Sequence, residues 1–129
     1  MGLMAADNDN LALARQVFGW FEHRDVEALI AVLHADVRAH PALDGGPLLE
    51  GREAVAEWWR SHLDADRDLE LRPLDFEQLG ECVIVRGYIR HREGRTLAEN
   101  QAFWRFRFRD GAIDRMASHP TRESALAAC

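Results

Sequence analysis

Apolar residues at Leu11, Ala14, Val17, Phe18 and Phe21 recur every three or four positions, with Leu13 and Trp20 widening the stripe. This spacing predicts an amphipathic helix from Asn10, while residues 1–9 are expected to form a flexible N-terminal tail. Arg24-Asp25 breaks the pattern, and Asp25 has the short acceptor side chain of an N-cap. A second, short helix follows, with Val26, Leu29, Ile30 and Leu33 on one face. Val37 to His40 reads as a short strand closed by Pro41, and the stretch ALDGGPLLEG beyond it is rich in turn formers and reads as a loop. Gly51 precedes a third helix in which Val55, Trp58, Trp59, His62 and Leu63 share one side.

After the charged loop around Asp64 to Asp68 the period changes from about 3.6 to two. Strands are predicted at Leu69–Leu79, Cys82–Arg92, Thr96–Arg109 and Ala112–Ser118, separated by Gly80-Glu81, Glu93-Gly94 and Asp110-Gly111. Asp110-Gly111 is a two-residue hairpin signal, because both positions tolerate positive φ. Thr121 is placed to cap a final helical turn through Leu126. The expected class is therefore α+β: three N-terminal helices packed on a strongly curved, mainly antiparallel sheet, with a conical cavity between the layers.

Length and composition narrow the classes of function. A chain of 129 residues, 47% of them hydrophobic, is long enough to bury roughly two-thirds of its unfolded surface as a single domain over residues 1–129. Nothing at the N-terminus has the pattern of a secretory signal or a myristoylation site, and no apolar run reaches the length of a membrane span, so a cytoplasmic protein without membrane attachment is expected. The net charge of −6 disfavours nucleic acid as a partner. All sixteen basic residues are arginine, which excludes Schiff-base lysine chemistry and a phosphate-loop lysine. Cys82 and Cys129 have no metal or redox spacing, fit a reducing compartment and read as structural or incidental residues. No histidine pair has the spacing of a helical metal site, so neither a metal nor a cofactor is expected. The three serines, Ser61, Ser118 and Ser124, lack a nucleophile-elbow context.

The segments RDVEAL, GREAVAEWW, FRFRDGAIDRM and TRESALAA, in this order and spacing, resemble the nuclear transport factor 2-like superfamily, in particular its SnoaL-like and ketosteroid isomerase-like members. The resemblance covers nearly the whole chain and implies a cystatin-like α+β barrel with an apolar pocket, and a homodimer formed through the sheet. It leaves the reaction open, since the superfamily includes isomerases, cyclases, dehydratases and non-enzymes. Aligned through Pro41 and the GRE segment, His40 stands where ketosteroid isomerases carry their catalytic aspartate. Val17 and Trp104 stand where those enzymes carry their oxyanion donors, which argues against steroid isomerisation by that route.

His40 is accordingly the candidate general acid–base residue, the alternative being a polar strand end. Within Thr96–Phe108 the set Ala98, Asn100, Ala102, Trp104, Phe106 and Phe108 is expected to face inward, with Asn100 either orienting a substrate or satisfying the backbone. Trp20, Phe21, Trp58, Trp104, Met116 and Ser118 complete the candidate ligand-binding set, each with plain core packing as its alternative. Tyr88 is assigned to the back of the sheet, and His119 is a candidate neighbour of His40. The expected ligand is an apolar small molecule, handled by a cofactor-independent isomerase, cyclase or dehydratase-type enzyme. The alternative is a non-catalytic ligand-binding, dimerisation or protein-interaction module.

Overall fold

The computed structural model describes residues 2–41, 47–65 and 69–129, with the backbone alone for 2–8, 62–65 and 93. The side chains of His62 and Leu63 and the centre of the Pro/Gly loop lie outside the described residues. The chain runs α1 (Gly2–Glu22), α2 (Val26–Ala31), β1 (Leu33–His40), β2 (Leu49–Glu50), α3 (Arg52–Ala65), β3 (Glu70–Leu79), β4 (Cys82–Glu93), β5 (Thr96–Arg109), β6 (Ala112–His119) and α4 (Arg122–Ala128).

Local signals account for most of these boundaries. Asp25 caps α2 by accepting from the Ala28 amide at 3.2 Å, and Thr121 caps α4 by accepting from the Ser124 amide at 3.1 Å. Asp110 and Gly111 take φ of 53° and 78° in the β5–β6 hairpin, as the turn signal requires. The expected tail at 1–9 is instead helical from Gly2, an extension that fits the unbroken helix formers Leu3 to Ala6. Strand β1 begins at Leu33 rather than Val37, because Leu33 pairs with Ile113 and leaves the face of α2. Within the expected loop, Leu49 and Glu50 pair with Ala39 and Arg38 as a two-residue strand.

The six strands form one curved sheet in the order β2-β1-β6-β5-β4-β3, antiparallel except for the β1–β6 pair. The two edges, β2 and β3, do not pair, so the sheet remains open and the expected barrel is not closed. Register shifts in β1, β3 and near the β5–β6 turn interrupt the ladders, and such irregularities bend strands. At Gly87, opposite the β3 shift, an added Cβ would lie 2.1 Å from the Arg72 carbonyl oxygen and 2.8 Å from the Trp104 ring. Only glycine admits that approach.

One face of the sheet carries Val83, Val85, Ala102, Trp104, Phe106 and Phe108 and packs with α1, α2 and α3 into the main core. On the other face α4 makes a second, smaller cluster, in which Ala125 and Leu126 meet Ile84 and Phe103. Cys82 and Cys129 are joined by a disulfide, with Cα atoms 5.9 Å apart, a pairing that the sequence reading, which fitted them to a reducing compartment, does not contain. The two residues are 47 apart in sequence, and only the return of α4 across the outer face brings them together. Arg122 of α4 also hydrogen-bonds Glu77 of β3.

His119 completes these ties. Its Nε2 accepts from Arg105 Nε at 3.3 Å, so the ring proton lies on Nδ1 and is donated to Ser124 Oγ at 2.8 Å. Burial, followed by the charge of Arg105 and by His40, holds His119 below the ordinary histidine pKa.

Two outcomes follow from the way α4 is held. Closing a loop of 47 residues stabilises a fold by about 2–4 kcal/mol, so Cys82→Ser/Cys129→Ser, compared with the oxidised protein by urea unfolding, is expected to lose that amount. A difference under about 0.5 kcal/mol would show that the cross-link constrains little. The depressed pKa of His119 means that the unfolded chain takes up its proton near pH 6.5 and the folded chain only at lower pH. Acidification from pH 7 through 6.5 toward the folded value therefore removes stability, and the thermal midpoint of the wild type should fall more steeply than that of His119→Gln between pH 7 and about 5. Equal slopes would contradict the assigned neutral ring.

Candidate functional site

Between the helical layer and the inner face of the sheet lies a cavity of about 660 Å³. Helix α1 contributes Val17, Phe18 and Phe21, and α3 contributes Val55, Trp58 and Trp59. The sheet side is built by register. Met116, Phe106 and Val83 lie abreast on β6, β5 and β4, as do Ser118, Trp104 and Val85 one step further along. Asn100, Ile89 and Leu71 follow across β5, β4 and β3. Phe18 stands against this floor, with its ring centroid 5.0 Å from that of Trp104 and 5.9 Å from those of Phe76 and Phe106.

Strand direction decides where polar groups enter. Strands β1 and β6 are parallel and end at His40 and His119, while β4 and β5 run on past that level into their own hairpin. Polar side chains around the cavity, namely Ser118, Asn100, His91 and His40, all belong to this end of the sheet. The opposite end is closed by Phe106, Val55 and Leu29. The result is a cone with apolar walls and a polar mouth.

Phe21, Trp58, Asn100, Trp104, Met116 and Ser118 all line the cavity. Trp20 does not. It is two positions, about 200°, around the helix from Phe18, and it packs half-buried on the flank of the core. His40 stands at the rim, exposed. Alternation along β1 gives the inner face to Val37 and Ala39, whereas His40 is level with Ala117 and close enough to His119 to influence its charge. Tyr88 lies on the outer face in register with Gln101 and Arg72, and away from the cavity.

His91 was missed in the sequence. The alternation of Val83, Val85, Gly87 and Ile89 extends by one step to His91, which is half-buried and lines the cavity. It is level with Ala98 and therefore diagonal to Asn100 on the neighbouring strand. An imidazole and a carboxamide thus face one mouth from adjacent strands. The first can take or give a proton, and the second donates or accepts a hydrogen bond without changing charge. Among the described residues no three His, Cys, Asp or Glu side chains are grouped as a metal would need, and no helix is long and apolar enough to cross a membrane.

The architecture has known counterparts. A protein of unknown function from Burkholderia pseudomallei, described as NTF2-like, superposes with a TM-score of 0.76 at 21% identity, covering 92% of this chain and 95% of that one. TerC, co-crystallised with polyporic acid, gives 0.75 at 21% identity, with 93% and 96% covered. A putative polyketide cyclase from Xanthomonas campestris gives 0.76 at 22%, with 95% and 97% covered. No curated protein matches the chain. The family model described as the SnoaL-like domain matches residues 14–116, a span from the second half of α1 to the middle of β6 that holds all the cavity-lining residues except Ala117 and Ser118. The chain belongs to the SnoaL-like family and shares the fold of the NTF2-like protein on which it superposes.

Proposed function

We propose that this protein binds an apolar carbonyl compound in the cone and catalyses a cofactor-independent proton transfer on it, of the isomerase, cyclase or dehydratase type. The observation that carries this reading is the placement of His91 and Asn100 on adjacent strands at the polar mouth of an otherwise apolar cavity. A substrate ring lies between Trp58 and Trp104, with its carbonyl toward the mouth. An imidazole, His91 on the inner face or His40 at the rim, takes the proton from the carbon next to the carbonyl and returns it to another atom of the same compound. The Asn100 amide donates to the oxygen as its charge develops, the role that oxyanion donors serve in such reactions. The polyporic acid bound by TerC and the polyketide cyclase description of the Xanthomonas campestris protein support a carbonyl-bearing aromatic or polyketide-like ligand class.

The outer face of β3 and β4, with Leu74 half-exposed beside the arginines of β4, supports a homodimer formed through the sheet. In a cytoplasmic location, which we retain, thiols are held reduced, so the Cys82–Cys129 bond would be reversible there.

A panel of hydrophobic ketones, lactones and polyketide-like aromatics, tested for thermal stabilisation and turnover, examines the reading. A ligand at a hundred times its dissociation constant adds about 2.7 kcal/mol. Loss of the proton-transfer imidazole is expected to lower kcat by about 10²–10⁴-fold with binding retained, tested in His91→Ala and His40→Ala separately. Turnover unchanged in both variants, or a panel that stabilises nothing, would overturn it.

A further inference from the structure

The outer face of the sheet carries a second cluster with its own chemistry. Ala117 of β6 is its centre. Across the strands it is level with Arg105 of β5 on one side and His40 of β1 on the other, and along β6 it lies between Arg115 and His119. Arg38 of β1 is in register with Arg115. Five cationic or protonatable side chains thus surround one buried methyl group.

Two carboxylates, Glu50 and Asp114, stand against the three arginines and two histidines. The buried carboxylate beside the cluster, Asp114, already accepts from Arg107 Nε at 3.1 Å and from its Nη2 at 2.7 Å. The same carboxylate lies 3.5 Å from Arg109 and 3.9 Å from Arg115. Arg38 faces the exposed Glu50 at 3.6 Å. Arg105 is 8% exposed, yet its one hydrogen bond goes to the Nε2 of a neutral imidazole. A buried guanidinium keeps its charge and ordinarily meets a carboxylate or another anion. Here the partner is a group that has no charge to offer. Burial, then the adjacent Arg107 and Arg115, disfavour the charged form of Arg105, and the charge of Asp114 offsets this only in part.

We propose that the outer face around Ala117 binds a phosphate group, with Arg105 and Arg115 as fixed donors, His119 as a donor that takes up a proton from solvent when the anion arrives, and the His40 imidazole at its edge. Guanidinium forks match the oxygen edges of a phosphate, and the imidazoles supply single donors from the other sides. The site lies on the other face of the sheet and shares His40 and the Ala117 position with the lining of the cone, and its anion chemistry goes beyond the carbonyl chemistry above. Binding exchanges the Arg105–His119 hydrogen bond for two bonds to the anion, and His119 Nε2 changes from acceptor to donor.

Calorimetry of the intact oxidised protein with inorganic phosphate and, separately, with phenyl phosphate, both at ionic strength matched with sodium chloride, tests the proposal. Saturable binding of either is expected, with free phosphate preferred if the natural ligand is the ion and the monoester preferred if it is an esterified group. Arg105→Gln should weaken binding about tenfold or more. Because Arg105 is buried, His40→Gln at an exposed position provides a second variant and should weaken binding severalfold, while Arg90→Gln on the far part of the outer face should leave it unchanged. In ¹H NMR the titration midpoint of His119 should rise when phosphate is added. Heats that do not saturate, binding that is equal in Arg105→Gln and His40→Gln, or a His119 midpoint unmoved by phosphate would each overturn the proposal.

Discussion

The ring of Phe18 is the point on which the two layers of the molecule meet. It projects from α1 and packs edge-on against Trp104, Phe106 and Phe76, which come from two different strands. Removing such a buried ring costs about 3–5 kcal/mol, a large fraction of the stability of a domain of this size. The same ring is part of the cavity wall. The contact that joins helix to sheet therefore also fixes how deep the cone is. Gly87 acts on the same aromatic group from the other side, since its missing Cβ leaves the Trp104 ring room to lie against the β4 backbone.

From this follows a division of labour between the two sheet faces. Alternation along β4 and β5 sends Val83, Val85, Trp104 and Phe106 inward and Ile84, Arg105 and Arg107 outward. The inner face is apolar, and its few polar groups enter only where the strands end. The outer face is ionic, organised around Asp114, whose carboxyl burial alone would raise. The hydrogen bonds from Arg107 and the charges of Arg107, Arg115 and Arg109 nevertheless hold it below its ordinary pKa. Helix α4 covers part of that face, held by the disulfide, by the His119–Ser124 bond and by the Arg122–Glu77 pair.

Much of this was legible in the chain, for a physical reason that also explains the omissions. Strand limits such as Thr96–Arg109 came directly from the period of two and from Gly-containing turns, and the caps at Asp25 and Thr121 came from local side-chain chemistry. These are properties of neighbours in sequence. The Cys82–Cys129 pair, the β2 strand against β1 and the partnership of His119 with Arg105 depend on residues distant in the chain, and composition carries no trace of them. His91 is a different case. Its inward direction was written in the alternation that begins at Val83, but the pattern was followed only as far as its apolar members. The opening into the cavity falls where that pattern changes from apolar to polar, so the last step mattered most.

The central claim is that the cone, rather than the outer face, receives the carbonyl compound. Met116 lines the cavity between Ala39 and Phe106, so its methyl group reports on occupancy. With ¹³C-methyl methionine incorporated, titration with the compound that stabilises the protein most should move the Met116 signal saturably, in step with the thermal stabilisation. A compound that stabilises the protein while the Met116 methyl signal stays fixed would be bound elsewhere, and the account of the cone as the site of chemistry would be contradicted.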